Sequence, residues 1–376
     1  MKVFSKLWIL GALLGICGVA NTAEKPLPDT GVSGVYEVMI GTDDSEKLLK
    51  YLAEFGFQQI DKGQLGQDKA RSLYGVDSAL TSYRLQNGDT DSHGLIRVLE
   101  WQSLLGDGVG YAQPETVGQR MMVMRTNDVH RIHDVFADAR KAGQKWLPTK
   151  PVYADLYGMT KGKPDVLKRR TGVREMAVYG DLFNLVLFQR YGYVIKGYGS
   201  ITAQSPLKTS EITHNDFILA GSTKEDMNRQ TDYYRDVFGL KPEGPVVLDG
   251  DWQDGPKVVF NMADGSSHYY RGFVSPNNIS GKLKFFVNPD ARPDRSALQK
   301  PGYAGITLHS LYAVDPKLIK RLADEQGITS SAMQNNEFGE SSFVLRGPDG
   351  SSWQILPKPT LVTPPVTELK FETTIH

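Results

Sequence analysis

A single cysteine, Cys17, occurs in the 376-residue chain, inside an N-terminal apolar stretch. Once that segment is removed, no disulfide and no thiol nucleophile are available, which suits an exported protein in an oxidising compartment. An excess of either charge is also missing: 43 Lys plus Arg balance 43 Asp plus Glu. Nucleic-acid binders usually carry a basic excess, so nucleic acid is not an expected partner, although a local patch stays open. No Gly-rich phosphate loop, zinc-type cysteine spacing or Gly-x-Ser-x-Gly elbow occurs, so no signal points to the chemistries those motifs serve.

The N-terminus reads as a secretory signal over residues 1–23. Lys2 and Lys6 give a positive start, Leu7 to Val19 is compactly apolar, and Ala20 or Ala23 offers a cleavage position. The stretch is too short and wrongly flanked for a stable membrane span; an uncleaved anchor is the alternative. Ile16 before Cys17 is too large for a good lipoprotein cleavage site. The expected location is periplasmic or extracellular.

What the chain does have is a unit that recurs four times: a short apolar strand, an Asp-capped amphipathic helix and a glycine stop. The units run Val35 to Gly56, Met121 to Gly143, Ile212 to Gly239 and Ile306 to Gly327. Asp44, Asp128, Asp226 and Asp315 are the expected caps, since a side-chain oxygen there accepts from the free N–H groups of the first turn. Leu48, Leu49, Leu52 and Phe55, and later Ile132, Val135, Phe136 and Ala139, recur at helical spacing. The polar stretch 192–210 reads as a linker, separating a domain at 32–191 from one at 211–358; residues 359–376 read as a tail.

Two segments carry a family resemblance. Thr231-Asp232-Tyr233-Tyr234-Arg235-Asp236-Val237-Phe238-Gly239-Leu240 is a helix end, and Phe343 to Ile355, with Gly347-Pro348-Asp349-Gly350 at its turn, is a terminal hairpin. Together with Asn184 to Gln189 they resemble the vicinal oxygen chelate superfamily, which includes glyoxalase I, bleomycin-resistance proteins and extradiol dioxygenases. The match spans most of residues 32 to 358. It implies an α+β fold in which paired βαβββ units form curved mixed sheets, here as two tandem domains. It also implies a cleft whose first and last strands hold one divalent metal.

Carried over by position, the resemblance nominates His214 and His309 as ligands, with Gln354 where a Glu usually stands. Two His and a Glu would make a facial triad suited to iron or manganese; zinc is a third option. Gln, being neutral, is the weaker ligand and puts iron–oxygen chemistry in question. Asp216, on the His214 face of its strand, is a spare ligand, and Glu337 and Glu340 stand close before the last hairpin. In the N-terminal half Glu37 fills the first-strand position and Glu100 is a second carboxylate that would face it. There the scaffold or metal-free reading is preferred. Glu37, Glu100 and Asp216 are the candidate substrate contacts.

Asp89 to Glu100 nearly fits a calcium loop, but strands flank it where helices are needed, so it reads as a hairpin turn. His130 and His133 read as surface residues, and Lys161 to Arg170 as a solvated basic loop. Three functions stay open: a metal-dependent lyase or dioxygenase acting on a small molecule with adjacent oxygens, a non-catalytic protein that sequesters a small molecule, and an interaction module with vestigial clefts.

Overall fold

The computed structural model describes residues 26–159, 170–195, 198–249, 254–276, 281–290 and 292–358. The segment read as a signal, with Cys17, residues 161–169 of the basic run and the stretch from 359 read as a tail lie outside them. No helix among the described residues is long and apolar enough to cross a membrane.

The first unit comprises β1 (Glu37–Thr42), α1 (Ser45–Glu54), β2 (Phe57–Leu65), α2 (Gln67–Tyr74), β3 (Leu80–Asn87) and β4 (Leu95–Trp101). The second comprises β5 (Arg120–Thr126), α3 (Val129–Lys141), β6 (Trp146–Pro148), β7 (Val152–Met159), β8 (Arg170–Gly180) and β9 (Asn184–Tyr191). The third has β10 (Thr209–Leu219), α4 (Lys224–Asp236), β11 (Lys241–Pro242), β12 (Val247–Asp249), α5 (Asp254–Val259), β13 (His268–Val274) and β14 (Lys282–Val287). The fourth has β15 (Gly305–Ala313), α6 (Pro316–Glu325), β16 (Gln334–Asn335), β17 (Ser341–Arg346) and β18 (Ser352–Pro357).

Local chemistry explains the helix starts. The Asp44, Asp128 and Asp315 carboxylates accept from the N–H groups of Lys47, Arg131 and Leu318. In the third unit the cap moves back three residues: Thr223 is the N-cap and Asp226 closes a reciprocal capping box with it. At the helix exits Gly56 has φ +88°, and a Cβ there would lie 2.8 Å from the Ser205 Cβ. Glycine is needed both for the left-handed turn and for the close approach.

The strands form two curved mixed sheets, as the α+β reading expected, but the pairing of units differs. One sheet has eight strands in the order β16-β17-β18-β15-β1-β4-β3-β2, joining units one and four. The other, of ten strands, follows β11-β13-β14-β10-β5-β9-β8-β6, with β12 also paired to β13 and β7 to β8, joining units two and three. Units one and two therefore do not share a sheet, nor do units three and four, contrary to the pairing expected within 32–191 and within 211–358. The stretch 192–210, read as a linker, is tied back to the first unit where described: Leu207 N–H donates to the Glu54 carbonyl at 3.0 Å.

Helices α1, α3, α4 and α6 pack against one face of each sheet around a single large core that includes Leu48, Ile132, Tyr234 and Ile319. The two resemblance segments meet there. Tyr233 and Tyr234 donate to the two Asp349 oxygens at 3.0 and 2.8 Å, and the Trp353 indole N–H donates to both phenols at 3.1 Å. The helix-end and hairpin motifs are thus one interlocked cluster of packing and hydrogen bonds. The opposite, concave faces carry smaller clusters: Met39, Leu99 and Leu308 of the eight-stranded sheet with Leu73 of α2, and Met121, Val186, Phe188, Ile218 and Phe286 on the ten-stranded one.

Candidate functional site

On the concave face of the eight-stranded sheet, alternation places Glu37 (β1), Arg97 (β4), Ser310 (β15) and Gln354 (β18) side by side, since Glu37 pairs with Leu95 and Ser310, and Ser310 with Gln354. The Arg97 guanidinium is at the centre. It donates to Glu37 Oε2, to Glu37 Oε1 at 3.2 Å, to Gln354 Oε1 at 2.7 Å and to Glu337 Oε1 at 3.0 Å. Arg84 donates to Glu37 Oε1 at 2.6 Å and, in a fork, to both Glu340 oxygens at 3.1 and 2.8 Å. Ser310 adds a second donor to Glu37 Oε2 at 2.7 Å, and Tyr74 donates to the remaining oxygen of Glu337 at 2.8 Å. The Phe338 ring lies 4.2 Å from the Arg84 guanidinium carbon and 5.0 Å from that of Arg97. Burial pushes the Glu37 carboxyl upward, but Arg84 and Arg97 outweigh it and bring its pKa down to about 2. Every charge on this face is paired.

The concave face of the ten-stranded sheet differs. His214, Asp216 and Ile218 alternate along β10, with Met121 and Val123 of β5 on one side and Lys282 and Lys284 of β14 on the other. Val186 and Phe188 of β9 and Glu175, Ala177 and Tyr179 of β8 continue the row. Asp216 is only 4% exposed, and its Oδ1 has no hydrogen-bond partner. Burial raises its pKa to about 7, against the opposing effect of Lys284. Burial likewise raises Glu175, again opposed by Lys284. Neither Glu175 nor Lys284 forms a hydrogen bond or ion pair among the described residues. His214 is half-buried, with Nδ1 3.0 Å from the Thr213 hydroxyl and its ring 6.1 Å from that of Phe188. Burial and then Lys284 and Lys282 hold its pKa well below the usual value, so it is neutral. A buried carboxyl with an unpaired oxygen costs stability unless something satisfies it. Such a face can grip a small molecule with an apolar body and polar oxygens.

The sequence-nominated residues are only partly brought together. His214 and Asp216 do share a face. His309 lies on the other sheet and on its helix side, packed 4.9 Å from the Phe217 ring and 5.2 Å from Trp353. Gln354 is on that same sheet but on its concave face, because His309 pairs with Trp353 and Ser310 with Gln354. The triad His214, His309 and Gln354 therefore does not converge; strand spacing within a unit could not reveal which units pair. Glu100 does not face Glu37 either. It points to the helix side, accepting from the Ser45 hydroxyl at 2.6 Å and from Tyr83 at 3.0 Å. Glu337 and Glu340 do reach a cleft, the first one. Asp89 to Gly94 is the turn between β3 and β4. Sequence reasoning missed Arg84, Arg97, Glu175 and Lys284. The signal was there for Arg97 and Lys284, single charges inside apolar strand runs (Leu95 to Leu99, Leu283 to Phe286), where an unpaired charge is seldom buried.

No family model matches the chain, and no curated protein matches it. Solved structures do. A putative dioxygenase from Bacillus subtilis aligns with 88% of this chain and 86% of its own at 11% identity, with a TM-score of 0.50. Glyoxalase I from Zea mays aligns over 86% of this chain and 92% of its own at 13% identity, also with a TM-score of 0.50. The chain has the vicinal oxygen chelate fold. Glyoxalase and dioxygenase folds typically use divalent metals, and the resemblance implies ligands on the first and last strands. Here those positions carry Glu37, Arg97, Ser310 and Gln354 in the first sheet. In the second, Met or Val from β5, Val or Phe from β9 and Lys or Phe from β14 face His214 and Asp216. No group of three or more His, Cys, Asp or Glu able to hold a metal occurs among the described residues. The donor set does not fit the metal of the vicinal oxygen chelate fold, and no chemical step is routed through one.

Proposed function

We propose that the protein is an exported small-molecule-binding protein whose ligand occupies the concave face of the ten-stranded sheet without a metal. One observation carries this reading. Asp216, Glu175 and Lys284 bring a carboxyl oxygen, a second carboxyl and an ammonium to one apolar-lined face with none of them paired, and ligand groups can complete them. His214, neutral at physiological pH, adds a donor or acceptor according to its tautomer. Phe188, Phe286 and Val186 receive the apolar body, and Lys284 and Asp216 fix the orientation of its oxygen substituents.

The metal-dependent lyase or dioxygenase is the second reading. His214 and Asp216, two ligand-type side chains on one strand face, favour it; their apolar neighbours on β5 and β9 favour the binding protein.

Native mass spectrometry of protein purified under gentle conditions, with elemental analysis of the same sample, tests both. A co-purifying small molecule lost in Asp216→Asn and Lys284→Ala, with no stoichiometric metal, supports binding. About one iron, manganese or zinc per chain, lost in His214→Ala, overturns it in favour of the enzyme. Export is tested separately, by cell fractionation and intact mass: cleavage after Ala20 or Ala23 in the exported fraction supports it, and full-length protein confined to the cytosol rejects it.

A further inference from the structure

We propose that Arg97 is a resident cation. Its guanidinium fills the place among the first and last strands of the eight-stranded sheet that a metal ion would take, and it closes that cleft to metal and to ligand. The inference concerns the other cleft and does not rest on the functional reading above.

The arrangement follows from donors and acceptors alone. Glu37 from β1, Gln354 from β18 and Glu337 from the loop before β17 aim four acceptor contacts at one point. Four side-chain oxygens of two acids and an amide, brought in from separate elements, would make a hard, oxygen-rich site of the kind that magnesium, calcium or manganese prefers. The point is already held by a delocalised cation that cannot lose its charge, since Glu37 and Glu337 raise the Arg97 pKa against the pull of burial. A planar fork with five donors satisfies those oxygens directionally, which a hydrated divalent ion would otherwise do. Arg97 is itself fully buried, 0% exposed.

A second feature closes the cleft from above. Loop 336–340 lays Phe338 across both guanidiniums, and Glu340 ties the loop to Arg84. Asn336 holds the loop's shape, accepting from the Phe338 and Glu340 N–H groups at 3.0 and 2.9 Å and donating to Glu340 Oε2 at 2.8 Å. A Cβ at Gly63, beneath the loop, would lie 2.1 Å from the Glu337 carbonyl oxygen, so the edge strand β2 is shaped to let the loop sit down. Removing the guanidinium leaves Glu37 and Glu337 converging on a vacancy of cation size, with Arg84 balancing only part of their charge.

The test uses full mature protein and thermal unfolding in millimolar Mg²⁺, Ca²⁺ or Mn²⁺, each alone, with a chelator control. Wild type and Arg97→Lys, which keeps a cation in place, are expected to show no saturable metal-dependent rise in Tm. Arg97→Ala is expected to unfold at lower temperature and to regain Tm in a saturable way with at least one of the three ions. The gain should vanish when Glu37→Gln is added. Gln354→Glu, which supplies the missing carboxylate while keeping Arg97, is expected to remain as insensitive as wild type. The inference is overturned if wild type or Gln354→Glu gains a saturable shift that Glu37→Gln abolishes. It is equally overturned if folded Arg97→Ala ignores all three ions. Should Arg97→Ala not fold, Gln354→Glu and wild type decide the matter through stoichiometric Mn²⁺ after dialysis: none supports the resident cation, one per chain rejects it.

Discussion

The two concave faces are built on the same strand plan, yet their charges are handled in opposite ways. On the eight-stranded sheet Glu37, Arg84, Arg97, Glu337 and Glu340 form a closed set in which each charge faces its opposite. On the ten-stranded sheet Asp216, Glu175 and Lys284 share a face without pairing, and burial pushes both acids toward neutrality. Buried ions are tolerable when paired and hydrogen-bonded, and costly otherwise. The first face has therefore been completed from within the chain, and the second is left to be completed from outside. Fold alone does not distinguish them; side-chain chemistry at equivalent strand positions does.

The sharpest separation of the two faces is expected at Arg97. Arg97→Ala leaves Glu37 and Glu337 buried without their main partner, and such a break typically costs ~3–5 kcal/mol. Urea unfolding near pH 7 measures it, and a loss below about 1 kcal/mol would mean that the network is not what holds this face together. The same network gives an acid limb. Glu37 is held at about 2, below its usual 4.5, so its contribution is fully present above pH 4.5 and is lost as the pH falls toward 2. Glu37→Gln should flatten that limb.

The second face has the opposite pH sign. Asp216 keeps its proton to about pH 7 in the folded protein and only to about 3.8 when unfolded. The folded state therefore binds more protons between those values, and stability falls as the pH rises through the window. At ~1.4 kcal/mol per unit the ceiling is about 4 kcal/mol. Asp216→Asn should remove the slope, leave the variant more stable than wild type at pH 8, and weaken ligand binding at least about tenfold, the loss of one hydrogen bond to a charged group. Stability curves at pH 5 and pH 8 check this; a slope that persists in the variant would mean that another group titrates there.

Much of the local structure was legible from sequence because it is set by short-range chemistry. Asp44, Asp128 and Asp315 cap as expected, since a cap needs only its own first turn. Asp226 was displaced by Thr223, which the reciprocal box hides from a search for Asp alone. The partnering of units was not legible: β1 pairs with β15 and β5 with β10 through backbone groups that every residue carries. His309 shows the consequence. It lies on the strand that corresponds to that of His214 but on the opposite face, toward Phe217 and Trp353, leaving Nε2 without a partner and burial holding the ring neutral. His309→Leu, near in volume and without the orphaned nitrogen, should raise stability by about 1 kcal/mol, the lower end of the cost of an unsatisfied buried polar group. A loss of more than about 1 kcal/mol in denaturant unfolding would give the ring a bonding role.

Glu100 provides the smallest effect and a control for both faces. It was nominated as a cleft carboxylate, but alternation along β4 puts it opposite Arg97, on the helix side. There it accepts from the Ser45 hydroxyl at the first residue of α1, where a negative charge favours the helix dipole. Glu100→Gln keeps an acceptor and removes the charge, so the expected cost is ~0.5 kcal/mol with no change in ligand binding. A measurable loss of binding would place Glu100 in communication with the second face and would break the separation drawn between the two.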